Sequence, residues 1–342
     1  GDVYKRQAPA IGPTLSGYLV EYLNWRSLFH VVAPIAAITF IIALFTVKNV
    51  GETIKVPIDI ISIILSVLGF GGLLYGTSSI SHDGWNDPIV LTTIIGGVIL
   101  VALFIWRQSK LETPLLNFGV FKNTQFAIGI LIMAVTMVSM IGSETVLPMF
   151  VQNLLNRTPL DSGLILLPGA IVMAIMSFTS GGLYEKFGAK PLALIGMMIV
   201  IITTGYFVIM DENTSSVMLA TVYGIRMIGI ALGLMPVMTH TMNQLTYEMN
   251  AHGSSMTNTV QQIAGSIGTA ILITILTQAS KHYSPNMSDY DGMKRSEMLG
   301  QIKIDTLLHG YHAGFLFAVL ITVVSFLCSF MLKKNTKSTD EQ

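Results

Sequence analysis

Residues 8–29 read APAIGPTLSGYLVEYLNWRSLF. Ala8, Gly12 and Ser16 are spaced four apart, so on a helix they form one small-residue face that lets a second helix come close. Pro13 removes a backbone donor and bends that helix. The stretch reads as the second half of an apolar helix followed by a turn, and the composition around it names the solvent. The chain has 342 residues, of which 52% are hydrophobic and 11% charged. A soluble domain carries roughly 25% charged residues. Mean hydropathy is +0.66. Net charge is +0, which gives nucleic acid no electrostatic footing. The single cysteine, Cys328, rules out an intrachain disulfide. Residues 1–7, GDVYKRQ, are polar and start with Gly, and they read as a non-native leader on a truncated reading frame.

Runs of about 20 apolar residues are long enough to cross a bilayer, and in hydrocarbon such runs are helices. One partial run, 8–23, is followed by nine full ones at 28–47, 58–78, 89–106, 126–151, 162–184, 191–210, 217–245, 254–278 and 313–332. Lys and Arg in the loops set orientation. Side A, which holds the C-terminal tail, carries ten: Lys48, Lys55, Arg107, Lys110, Lys122, Lys186, Lys190, Lys333, Lys334 and Lys337. Side B carries six: Arg26, Arg157, Lys281, Lys294, Arg295 and Lys303. Four of those six fall in the long loop before the last span, so the short loops stand at ten against two. Side A therefore reads as cytoplasmic, and the first run goes from inside to outside. The tail from Lys333 reads as a cytoplasmic stop.

The order of residues adds a resemblance. Gly12, Pro13, Ser16 and Gly17, followed by NWRSLF at 24–29, resemble the antiporter motif on the fifth span of major facilitator drug exporters. LETPLLNFGVFKN at 111–123 and PMFVQNLLNRTPLDSGLILLPG at 148–169 are similar to two loops of the EmrB/QacA-like subgroup. GGLYEKFGAK at 181–190 resembles the second copy of the facilitator loop motif, with Gly182, Glu185, Lys186, Gly188 and Lys190 in its places. HGSSMTNTVQQIAGSIGTA at 252–270 looks like span thirteen, except that Gln261 stands where the subgroup often has Arg.

The resemblance implies an all-α membrane protein of the major facilitator fold, with ten of fourteen spans present and the first of them partial. Residues 1–50 would end the N-terminal bundle, 51–115 would be an extra linking helix pair, and 116–342 would form the six-helix C-terminal bundle with its tail. The implied activity is proton-coupled export of amphipathic or cationic drugs across the bacterial cytoplasmic membrane, by alternating access around a midplane site. It would run on the proton gradient without a cofactor, and no G-x-x-x-x-G-K-[ST] loop for ATP occurs. The partners would be the bilayer and a small amphipathic molecule, with no nucleic acid and no obligatory protein.

Ionisable residues inside spans are expensive and point to function. Glu144 lies before the side-B end of its span and shares a face with Met133, Met137 and Met140. Methionine surfaces accept varied apolar partners, and a proton and a cationic drug can compete for one carboxylate. The alternative is a solvated vestibule glutamate with filler methionines. Arg226 shares a stripe with Gly229, Gly233, Val237, His240 and Gln244. It reads as a structural cation first, because a guanidinium repels cations and does not release its proton. His240 is a further proton-relay candidate. Asp59 and Asp161 read as helix N-caps. Glu185, Lys186 and Lys190 read as a latch between bundles, against a plain reading as solvated loop charges. Asn258 and Gln262, four apart, either line the cavity or bond a neighbouring helix.

Other readings stay open. The same fold could export one metabolite, lipid or siderophore. The chain could be inactive alone, because the resemblance puts the family's usual coupling acid and main loop motif in earlier spans. A membrane-embedded enzyme would need clustered His and carboxylates or a nucleophile with its base. Of seven histidines only His309 and His312 are close together, with no carboxylate cluster and no metal spacing inside the spans.

Overall fold

The computed structural model describes residues 8–46, 59–111, 114, 116–285, 287–290 and 292–333. Among them every regular element is helical. The long helices are α1 (Ala8–Tyr22), α2 (Ser27–Thr46), α3 (Ile60–Asp83), α4 (Pro88–Gln108), α5 (Thr124–Asn153), α6 (Pro159–Phe187), α7 (Ala189–Val208), α8 (Ser216–Met242), α9 (Asn250–His282) and α10 (Arg295–Ser329). Among the described residues nine helices, α2 to α10, are long and apolar enough to cross a membrane. Exposure fits that solvent. Phe45 on α2 is 82% exposed, and Ile35, Ile41, Ile42 and Leu44 beside it are exposed too. Such a face would be unfavourable in water and is neutral in lipid.

Helices α5 to α10 form one bundle. In it α6 and α7 both pack on α8, α5 packs on α9, and α10 closes against α5, α7 and α9. Close backbone approach makes these contacts. A side chain at Gly268 on α9 would collide with the Val138 backbone on α5. A side chain at Gly196 on α7 would collide with Gly229 and Gly233 on α8. Two apolar clusters fill the ends. Toward side B, Phe150 stacks edge-on to Tyr311 at 5.3 Å between ring centres, and Phe207 lies 5.3 Å from Phe315. Toward side A, Phe126, Val120, Tyr184 and Leu192 pack together. Helix α1 lies along α6, and the α3–α4 hairpin lies against α9.

Three local expectations change. The expected loop before the last span is mostly helix, because α10 begins at Arg295 rather than near 313. Residues 295–312 contain no proline and are rich in good helix formers, so the helix outruns the apolar run that marks the span. Asp161 is not the N-cap of α6. Thr158 is, and Asp161 completes a capping box as its third residue. Asp59 does occupy the N-cap position of α3, yet its carboxylate caps no backbone N–H. It accepts a two-pronged bond from Arg107 on α4, at 2.7 Å from Nε and 2.9 Å from Nη2. The Ser62 hydroxyl donates to it at 2.6 Å. A guanidinium fork matches a carboxylate better than a lone backbone amide does. Lys48, Lys55, Lys334 and Lys337 lie outside the described residues.

The Arg107 hydrogen bond, helped by Ser62, holds the Asp59 carboxyl well below its ordinary value of 3.8. The folded state therefore favours the ionised form. Stabilisation from this pair is complete above the ordinary value and is lost as pH falls through the lower folded-state value. The difference in thermal midpoint between the native chain and Asp59→Asn is thus expected to stay constant from about pH 8 to about pH 5, and to shrink only under stronger acid. A difference that collapses near neutrality would contradict this assignment.

Candidate functional site

Helices α5, α6, α8 and α9 enclose a cavity of about 390 Å³, and Pro13 of α1 reaches its wall. Glu144 supplies its carboxylate. Pro148, one turn later on α5, has no N–H, so the Glu144 carbonyl lacks its usual helical donor. The backbone is thereby loosened at the level of the acid. Met137, Met140 and Ile141 from α5, Met173 from α6 and Met227 from α8 give the cavity flexible apolar walls. Tyr223 from α8 and three carboxamides from α9, Asn258, Gln261 and Gln262, add polar atoms.

The structure therefore brings Glu144, Met137, Met140, Asn258 and Gln262 into one space. Met133 is not part of it. It is 1% exposed, sits in the side-A cluster and accepts a weak bond from Gln261 Nε2 at 3.3 Å. The helical stripe that carries Glu144 passes out of the cavity and into the packed α5–α9 interface by that level.

Arg226 is fully buried but does not line this cavity. Its Nε donates to Thr204 Oγ1 on α7 at 3.1 Å, and its Nη2 donates to the Ser139 carbonyl on α5 at 3.2 Å. Nη1 has no hydrogen-bond partner among the described residues. Around it runs a buried hydroxyl seam. Thr136 and Ser325 are 2.8 Å apart, and Ser139 and Thr322 are 2.7 Å apart. Met140 borders both this pocket and the main cavity. Arg226 and Glu144 form no salt bridge among the described residues. His240 is buried farther along α8, outside the cavity lining, and the structure does not bring it to Glu144.

The antiporter-like stretch packs on α6, though through a different face from the one its spacing marks. A side chain at Gly17 would strike the Pro159 backbone, and one at Gly163 would strike Pro13. Thr14 Oγ1 donates to the Gly163 carbonyl at 3.0 Å, and the Glu21 carboxylate accepts from the Leu160 N–H at 3.0 Å. Gly12 faces open space, and the Ser16 hydroxyl bonds back to the Pro13 carbonyl at 3.0 Å.

In the loop motif, Gly188 links α6 to α7 with a φ of 78°, a conformation that favours glycine. Gly182 has open space beside it, and Glu185 and Lys186 are exposed. Lys186 lies 5.3 Å from the Phe187 ring centre. Lys190 Nζ donates to the Phe330 carbonyl at the end of α10, at 2.6 Å, where a helix terminus attracts a cation.

Tyr223 and Met227 went unread in the sequence. They form a stripe one residue displaced from that of Arg226, with no charge to mark it. Among the described residues no three His, Cys, Asp or Glu side chains are grouped to hold a metal.

The placement is testable by thiol labelling in a Cys328→Ala background. Met137→Cys and Met140→Cys are expected to react with a polar maleimide from the cavity, and Met133→Cys to stay unlabelled. Equal labelling at all three would overturn this wall assignment.

The family model of the Major Facilitator Superfamily matches residues 8–269. An uncharacterized MFS-type transporter, YcnB of Bacillus subtilis, is 40% identical over 98% of this chain and 68% of its own length. Lincomycin resistance protein LmrB of Listeria innocua is 34% identical over 96% of this chain and 68% of its own length. Multidrug resistance protein Stp of Mycobacterium tuberculosis is 26% identical over 89% of this chain and 57% of its own length. The apolar helices, the bundle and these relatives together place the chain in the major facilitator superfamily, as a multi-pass membrane transporter.

Proposed function

We propose that this chain is part of a proton-coupled exporter of amphipathic or cationic drugs, in the fourteen-span EmrB/QacA-like subgroup. Its helices α1 to α10 take the places of spans five to fourteen. Side A faces the cytoplasm of a bacterial inner membrane, in keeping with its excess of Lys and Arg. The carrying observation is one carboxylate, Glu144, at a methionine-walled cavity. Methionines adapt to varied apolar shapes, and the carboxylate adds one cation-selective point. A proton and a cationic substrate then exclude one another at Glu144. Binding of one releases the other, and alternating access turns that competition into exchange.

Arg226 is the fixed counter-charge in this scheme. It stays buried and holds α5 to α7 through Ser139 and Thr204. The names of LmrB and Stp, a lincomycin and a multidrug resistance protein, agree with a drug cargo. The gradient supplies the energy, with no cofactor. A narrower cargo, one polar metabolite, is favoured by the three carboxamides on α9.

The test follows efflux of a cationic dye by the intact transporter in a pump-deficient bacterial strain, with and without an uncoupler. Uncoupler-sensitive efflux is expected, and Glu144→Gln is expected to slow it by about tenfold or more, equivalent to about 1.4 kcal/mol. Unchanged efflux in the variant would move coupling away from Glu144. No efflux with the protein present in the membrane would favour the metabolite reading.

A further inference from the structure

The register between α5 and α9 shows that the polar groups of the cavity are far apart. Both helices run from side A to side B. Gly268 sits against Val138 and Gly142 against Leu272, pairs 130 positions apart, while Gly265 sits against Ile141, a pair 124 apart, so each α5 residue stands level with an α9 residue 124 to 130 positions later. Glu144 is then level with residues 268–274. Gln262 lies six to twelve residues toward side A of that level and Asn258 ten to sixteen. At 1.5 Å per residue these offsets are about 9–18 and about 15–24 Å along the helix axis. Side chains on both helices lean toward their N-termini, which is the same direction, so the separation persists at the functional atoms. The bond from Gln261 to Met133 fits the same register.

A compact cation at Glu144 cannot reach these amides. Yet Asn258 and Gln262 line the same cavity, and both residues are exposed. Between the two levels the α5 wall presents Met137 and Met140. Along α5 and α9 the cavity therefore runs from an acid through an apolar stretch to an uncharged hydrogen-bonding end.

We propose that Asn258 and Gln262 form a second subsite, which binds a neutral hydroxyl or amide group at the far end of an elongated cationic substrate. The inference rests on the reading of Glu144 as the cation site, and it narrows the substrate class to long cations with an uncharged polar tail. A carboxamide both donates and accepts, so it serves hydroxyls and amides alike. Each bond made there in place of water adds a modest preference, of the order seen for neutral pairs.

The test uses two probes on the intact transporter in proteoliposomes. One is dodecyltrimethylammonium, and the other is its derivative with a hydroxyl on the terminal carbon. Each competes with a fluorescent cation for binding. The hydroxylated probe is expected to bind about fivefold more tightly to the native protein. The preference, read as the ratio of the two affinities in one protein, should vanish in Asn258→Leu with Gln262→Leu, and a native-like helical circular dichroism spectrum reports that this variant folds. In Gln262→Asn, which shortens the amide, part of the preference should remain. No preference in the native protein, or one that survives the leucine pair, overturns the subsite. Glu144→Gln run alongside separates the two claims. If it weakens both probes equally, the cation site stands whether or not the subsite does. If it weakens neither, the cation site fails, and the subsite as stated fails with it.

Discussion

In hydrocarbon, apolar surface gains nothing by being covered, so helices must be held by close backbone contact and by polar groups they cannot satisfy elsewhere. The arrangement of this chain follows from that constraint. Gly196 meets Gly229 and Gly233, Gly268 meets Val138, and Gly17 meets Pro159. Each pair brings two backbones to a distance that any larger residue would forbid. The hydroxyl seam from Thr136 and Ser139 to Ser325 and Thr322 adds directed bonds between α5 and α10. Where these close contacts stop, the helices part, and the space between α5, α6, α8 and α9 is left for methionines and a carboxylate.

The same constraint explains why two charges sit so differently. Arg226 is fully buried and turned into the seam, where it draws three helices together through neutral acceptors. Glu144 is half-buried and turned to the cavity, next to a turn that Pro148 has already weakened. A charge fixed among hydroxyls and a charge left at the edge of an open space suit a structural part and a working part. Among the described residues Met140 borders both the Arg226 pocket and the cavity, and its side chain is flexible enough to give way.

Much of this was legible in the sequence. Apolar runs mark all the long helices, because only a helix satisfies its own backbone in lipid. The 3.6-residue period puts Met137, Met140 and Glu144 on one face, and the cavity is where that face points. Periodicity does not say where a stripe enters packing, and so Met133 falls inside the protein instead. Nor does hydropathy mark where a helix ends, since α10 runs on through its polar residues to Arg295. Asp59 had the right position for a cap, and its partner Arg107 lies 48 residues away, beyond any local signal. Spacing puts Asn258 and Gln262 on one face of α9 without saying whether that face meets a cavity or a helix, which only the neighbouring helices decide.

The most direct test asks whether the Glu144 carboxyl is the group a substrate covers. The intact transporter is treated with a hydrophobic carbodiimide, which modifies carboxylic acids in apolar surroundings, and the modified residue is located by mass spectrometry. Glu144 is predicted to be modified, and a saturating cationic substrate is predicted to protect it. Modification of Glu144 that proceeds unchanged with substrate bound would contradict the account, because the acid and the substrate would then occupy different places.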